Sequence, residues 1–248
     1  MSDLVTFSRV VFMRSLTWLA ALAGVLVCSS SAFATLVTTQ LNATNGTDSL
    51  PNPYPVSSTD LLTGLTATNV TGNFTAEGTG GVPILNDGLT PSPVTRDTGG
   101  AFEFGSFATA GNIGGTSLTY VLSTPTNLTS IAVFGGWQDG GRDEQGYSIL
   151  YSTSAAPTTF LPLVTNFDFN PPDPTGHPQL TKVTFSDDTG ILASDVYALK
   201  FNFNAVENGY TGYTEIDAFG SPVPEPATLT MLAFGGIGLL LGKRRRKT

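Results

Sequence analysis

The chain has little cysteine, histidine or charge. Its 248 residues include one Cys and one His. That excludes a disulfide within one chain and any zinc site of several Cys and His. Only 12% of the residues are charged, against about 25% in an average soluble protein. Lys and Arg number 11 against 19 Asp and Glu, a net charge of −8. This argues against a nucleic-acid binder, which needs a basic face to meet phosphates. No window reads as an amphipathic helix beyond a turn near Thr59-Asp-Leu-Leu62, and there is no internal repeat. Turn formers are abundant, with 28 Gly and 16 Pro, and the hydrophobic fraction of 40% is enough for a core.

The two ends carry addresses. Arg9 and Arg14 precede the apolar run Trp18–Cys28, and Ala32-Phe33-Ala34 places small residues where a signal peptidase reads them. Residues 1–34 are therefore expected to be a signal peptide, cleaved after Ala34. The other reading is an uncleaved anchor, but the run is short against the roughly 20 apolar residues of a spanning helix. Val27 before Cys28 excludes a lipobox, so the processed chain would contain no cysteine.

At the other end, Val223-Pro-Glu-Pro226 precedes 16 uncharged residues, 227–242, and then Lys243-Arg-Arg-Arg-Lys247. The apolar stretch is expected to be a short transmembrane helix. The cations that follow would hold the tail in the cytoplasm and put everything before it outside. Gly235 and Gly236 suit a membrane helix better than a soluble one. A buried C-terminal helix is the other reading, which five terminal cations disfavour. Two prolines keep the segment around Glu225 extended, as a protease substrate must be.

This tripartite tail resembles the PEP-CTERM sorting signal of bacterial envelope proteins, with Pro224, Glu225 and Pro226 as its motif. The resemblance implies recognition by an exosortase, cleavage near that motif, and a cell that makes exopolysaccharide. The expected route is export, an inner-membrane intermediate, and then the cell envelope or the extracellular space. The sorting segment spans 221–248 and leaves 35–220 as the exported domain.

That domain holds 4 basic and 17 acidic residues, a net charge of −13. Short alternating runs recur between Gly, Pro, Asn and Asp clusters, which predicts strands. They are Leu65–Thr71, Ser117–Leu122, Ser130–Phe134, Tyr147–Ser152, Phe160–Val164, Lys182–Phe185, Tyr197–Phe203 and Thr214–Phe219. In Tyr197–Asn204 the residues Tyr197, Leu199, Phe201 and Phe203 share one face, and Lys200, Asn202 and Asn204 the other. The expected fold is all-β, an antiparallel β-sandwich.

The order of these pieces resembles the galactose-binding-like jelly roll of discoidin, or F5/8 type C, domains. Leu85-Asn-Asp-Gly-Leu-Thr90 is similar to its early loop. Ser117–Leu122 and Ile131–Phe134 resemble the paired strands that follow. Tyr147–Ser152 resembles a later strand, and Thr214-Glu-Ile-Asp-Ala-Phe-Gly220 the closing one. The resemblance implies a structural Ca²⁺ held by Asp87 and Glu215, with Asn86, Thr90 or Ser92 adding oxygens. A plain turn at Asp87-Gly88 and a surface Glu is the alternative reading. Leu89 and Pro91 depart from the usual loop.

The loop Gly136–Glu144 is a candidate ligand-binding tip. Trp137 offers an aromatic face, and Gln138, Asp139 and Arg142 offer planar polar groups, the combination that sugars need. Alternatively, Trp137 caps the core and Arg142 forms a local ion pair. Catalysis finds no support. His177 lies in a proline-rich loop, no nucleophile elbow is present, and nothing selects a carboxylate pair from 17 acids. Gly78–Gly81 and Gly111–Gly115 lack the Lys-Ser/Thr of a phosphate loop. Five N-x-Ser/Thr sequons, at Asn42, Asn45, Asn69, Asn73 and Asn127, read as a by-product of Asn- and Thr-rich loops. The expectation is a non-enzymatic exported protein that binds carbohydrate or adheres. A secreted polysaccharide hydrolase and a purely structural matrix protein are the rivals. The expected partners are signal peptidase, exosortase and extracellular polysaccharide.

Overall fold

The computed structural model describes residues 35–89, 91, 103–111, 115–172, 176–204 and 207–224. The signal peptide, Thr90, Ser92, Glu225, Pro226, the expected helix 227–242 and the basic tail lie outside the described residues. Among the described residues no helix is long and apolar enough to cross a membrane.

Among the described residues nine strands form: β1 (Leu36–Thr44), β2 (Thr68–Thr71), β3 (Ala108–Ala110), β4 (Thr116–Trp137), β5 (Gln145–Thr153), β6 (Ala156–Phe169), β7 (Gln179–Asp187), β8 (Ala193–Phe203) and β9 (Thr211–Pro222). All pairings are antiparallel. They fall into two layers that share β4. Its first half, Thr116–Val121, pairs β8 and β2, and the layer continues through β5 to β6. Its second half, Thr126–Trp137, pairs β7 on one side and β9 on the other, with β1 and β3 outermost. The crossing lies at Thr124-Pro125, where the register with β8 breaks. Proline suits this point because it gives no N–H to a ladder. Two predicted strands, 117–122 and 130–134, are thus one strand that passes from sheet to sheet.

The core lies between the layers. Tyr147 on β5 meets Phe185 of β7 at 6.1 Å and Tyr213 of β9 at 6.2 Å between ring centroids. Phe203 of β8 meets Tyr213 at 5.0 Å. Each such ring is buried, and full burial of a large apolar side chain stabilises by about 1.5–3 kcal/mol. The predicted face of β8 is the inner one. Leu199, Phe201 and Phe203 are buried and Tyr197 is half-buried, while Lys200 and Asn202 remain partly exposed. Buried phenols keep partners: Tyr147 Oη donates to Gln145 Oε1 at 3.0 Å, and Tyr213 Oη accepts from Gly146 N at 3.2 Å. Burial pushes both hydroxyls well above the ordinary tyrosine range.

β1 and β3 have no counterpart among the predicted strands. β3 is only three residues long. β1 is exposed along nearly its whole length, so its sequence carries no buried-face alternation.

Candidate functional site

Two polar centres stand out, one on the outer face of β9 and one at the loop that follows β4.

The first depends on a register shift. Tyr213 pairs with Gly135 and Glu215 with Phe134, a bulge between β4 and β9. Tyr213 faces the core before the bulge, and Ile216 and Ala218 face it afterwards. Glu215 and Asp217 therefore share the outer face. Segment 57–62 closes over them. Leu61 N donates to Ala218 O at 2.9 Å, continuing the sheet edge, and Ser57 N donates to Asp217 Oδ2 at 3.0 Å. Asp60 Oδ1 accepts from Leu62 N at 2.8 Å and from Ala218 N at 3.1 Å. The Asp87-Gly88 turn completes the cover, with Gly88 N donating to Glu215 Oε2 at 3.1 Å. Gly88 has φ +72°, and a Cβ there would stand 2.8 Å from Ser58 Cα. Only glycine allows both the left-handed turn and this close approach.

The result is a three-acid cluster. Asp60, Glu215 and Asp217 each place a carboxylate oxygen within 4.8 Å of the others. Glu215 and Asp217 are buried, and Glu215 Oε1 and Asp217 Oδ1 have no hydrogen-bond partner. Burial, reinforced by Asp217 and Asp87, pushes the Glu215 carboxyl up to about 9. Burial likewise lifts Asp217 to about 6 against the opposing hydrogen bond from Ser57. Buried carboxylates that repel one another and keep orphan oxygens suit a hard cation that prefers oxygen ligands.

The expected pair Asp87 and Glu215 is brought together through Gly88, but the two play different parts. Asp87 Oδ1 accepts from Leu89 N at 2.9 Å, capping its own turn. Its charge raises Glu215, yet it stands outside the three-acid cluster. Asn86 is engaged elsewhere. Its Nδ2 donates to Leu62 O and Leu65 O at 2.7 and 2.8 Å, and its Oδ1 accepts from Tyr120 Oη at 3.3 Å. Sequence reasoning passed over Asp60 and Asp217. Asp217 was readable as the residue two beyond Glu215 on one strand. Asp60 carries no such signal.

The second centre begins at Trp137, the last residue of β4. Trp137 is 3% exposed and packs with Phe107, Leu180 and Leu50, its ring centroid 4.9 Å from that of Phe107. Gly212 permits this, since a Cβ there would stand 2.5 Å from Trp137 Cε3 and 2.1 Å from Gly136 O. The Arg142 guanidinium lies over the indole at 4.9 Å. Its Nη2 also donates to Glu77 Oε1 at 2.5 Å. Arg142 and Glu77 are both non-glycine residues in the left-handed region, at φ +64° and +58°. Such conformations cost energy and persist where neighbours over-determine them. Here Gly212 N holds Arg142 O at 3.0 Å, and Asp139 Oδ1 accepts from Gly141 N at 2.9 Å.

The ring is therefore a wall of the interior and not an open platform, and it supports Arg142 from beneath. Gln138 is also buried, and its Oε1 has no partner; neither has Arg142 Nη1. Behind the loop, Glu207 Oε2 accepts from Asp143 N at 2.8 Å and Glu144 N at 3.2 Å. Burial and the adjoining Asp168 push the Glu144 carboxyl up to about 6. His177 Nδ1 lies 3.2 Å from Asp48 Oδ1.

Solved structures similar to this chain are β-sandwich modules. An F5/8 type C domain from Bacteroides fragilis is 17% identical and covers 47% of this chain and 74% of its own, with a TM-score of 0.35. The lectin domain of lectinolysin, complexed with Lewis b, is 15% identical over 67% of this chain and 99% of its own, at 0.41. A fucose-binding module from Streptococcus pneumoniae is 7% identical over 65% and 97%, at 0.39. An F5/8 type C domain, the resemblance expected from the sequence, is among these neighbours, and the assignment of the sandwich rests on the strand pairing itself. No curated protein matches the chain. Residues 222–247 match the PEP-CTERM protein-sorting motif. The chain is therefore an exported protein that carries this signal for sorting to the cell envelope.

Proposed function

We propose that the exported sandwich is a non-catalytic binding module, which takes a neutral, hydroxyl-rich carbohydrate at the loop after β4. The observation that carries this reading is the pair of orphan groups there. Arg142 Nη1 is a donor and Gln138 Oε1 an acceptor, and neither has a partner. Buried polar groups are satisfied by protein, water or ligand, and a sugar hydroxyl serves both as donor and as acceptor. Asp139, Asp143, Glu144 and Glu207 surround the loop with negative charge, which disfavours a uronate or sulfated glycan. Binding of neutral glycans to the exported chain on an array, lost in Arg142→Ala, is the expected result. An array with no neutral-glycan binding overturns the reading.

A calcium ion at Asp60, Glu215 and Asp217 belongs to the same proposal. It would neutralise the carboxylates and fix segment 57–62 and the Asp87-Gly88 turn against β9. It takes no part in ligand chemistry. The tail reading is that signal peptidase cuts after Ala34, the segment 227–242 holds the chain in the membrane, and an exosortase cuts near Pro224-Glu225-Pro226. The released or re-attached domain then serves the extracellular matrix. An envelope form whose intact mass includes Lys243–Lys247 overturns the cleavage step.

A further inference from the structure

Among the described residues the sandwich has four sheet edges, and they are not alike. An edge strand offers a row of unpaired N–H and C=O groups to any other strand, and proteins protect such edges with short strands, bulges, prolines or charges. Three edges here have such protection. β2 has four residues, a register shift and Asn69 at φ +50°. β3 has three residues. β6 contains Pro157 and Pro162, three register shifts against β5 and Asn166 at φ +47°.

β1 has none of these features. Its nine residues pair with β7 in an unbroken register from Leu36–Asp187 to Thr44–Gln179. The sequence Leu-Val-Thr-Thr-Gln-Leu-Asn-Ala-Thr has no proline, glycine or charge. Leu36, Val37 and Leu41 are 42%, 40% and 41% exposed. In a domain of net charge −13 this edge is a neutral strip, so a second copy can approach it without meeting opposed carboxylates on the strand.

We propose that β1 is a self-association edge, at which two copies pair antiparallel about a two-fold axis at Gln40 and join their second sheets into one. This register pairs all nine residues. Leu41 then stands opposite Thr39 of the second copy, Val37 opposite Ala43, and Leu36 opposite Thr44, all uncharged cross-strand pairs. An isologous contact of this kind closes on itself, so the product is a dimer and not a fibre. The paired edge is about 30 Å long at roughly 3.4 Å per residue. A contact this narrow falls below the roughly 1,200–2,000 Å² of a standard interface, so the dimer is weak and forms at high concentration.

Sedimentation of the exported chain across a concentration series, up to about 1 mM, tests this. A monomer–dimer equilibrium is expected. The double variant Val37→Lys/Leu41→Lys should weaken it at least about tenfold while leaving the melting temperature close to that of the parent. Leu161→Lys on the β6 edge should leave it unchanged. In the exported chain, which has no cysteine of its own after cleavage at Ala34, Gln40→Cys should give a covalent dimer with a short thiol cross-linker, and Thr44→Cys should not. A chain that stays monomeric throughout overturns the proposal. So does a dimer that is indifferent to the lysines, is lost with Leu161→Lys, or cross-links equally at residues 40 and 44.

Discussion

The acid cluster on β9 and the loop beyond Trp137 solve opposite electrostatic problems. At β9, Asp60, Glu215 and Asp217 converge, and among the described residues backbone N–H groups and the Thr63 hydroxyl donate to them. At the loop, the cation has a partner in an otherwise acidic surround. Arg142 lies between an indole and Glu77, and Glu207 receives two backbone N–H groups. The cation whose charge reaches the cluster, Lys182, stands over the Phe134 ring and only partly offsets the burial of Asp217, whereas the loop holds Arg142 in a direct ion pair. The difference separates a site that an external ion would complete from one that is already braced and keeps only hydrogen-bonding capacity for a ligand. On the proposed reading it also separates stability from recognition: the cluster ties covering segments to a strand, and the loop holds the side chain that would meet a ligand.

The sharpest way to break the comparison is Trp137→Ala. If the loop is braced from beneath, the substitution destabilises by about 3–5 kcal/mol, as for other buried aromatics, and chemical denaturation will read it. A loss of glycan binding with unchanged stability would mean that Trp137 touches the ligand directly. The next effect belongs to the cluster. Calcium at about a hundredfold excess over its dissociation constant should stabilise by about 2.7 kcal/mol, seen as a melting temperature that falls on adding chelator. An unchanged melting temperature would remove calcium from the account.

The third test uses pH with chelator present. Glu215 and Asp217 have folded values raised above their unfolded ones, to about 9 and about 6. Their contribution is therefore fully present below about 4 and is lost as pH rises through 6 and then 9. The metal-free protein should become less stable across that window. Glu215→Gln should flatten the upper part of the decline and, in the same molecule, abolish the gain from calcium. A variant that keeps the calcium gain places the ion elsewhere. The smallest effect is expected from Glu77→Ala. A half-exposed ion pair is worth about 0.2–1 kcal/mol, and the lost brace should show more in weaker glycan affinity than in melting temperature. A stability loss of several kcal/mol would make the loop as dependent on its charges as the cluster is.

Much of the fold could be read from residues. The alternation in Tyr197–Phe203 matches the buried inner face of β8, because period-2 burial is a local property. The turn at Asp87-Gly88 and the strand carrying Glu215 were also readable. Trp137 shows the limit. A tryptophan among Gly, Gln, Asp and Arg reads equally well as a sugar platform or as a core cap. Only the approach of Phe107, Leu180 and Gly212, residues 30 or more positions away, decides for the cap. Asp60 was unreadable as a member of the acid cluster for the same reason. Its partners on β9 lie 155 or more residues further along the chain.

The sequence by itself determined the class of the protein. Its scarcity of cysteine, histidine and charge, its β alternation and the 222–247 sorting motif are all properties of neighbouring residues. Tertiary structure decided which residues act together. The bulge in β9 turned Glu215 and Asp217 outward, segment 57–62 buried them, and the passage of β4 between sheets left β1 as an unprotected edge. Burial and desolvation depend on what the chain brings together from a distance, and no local pattern of side chains encodes that.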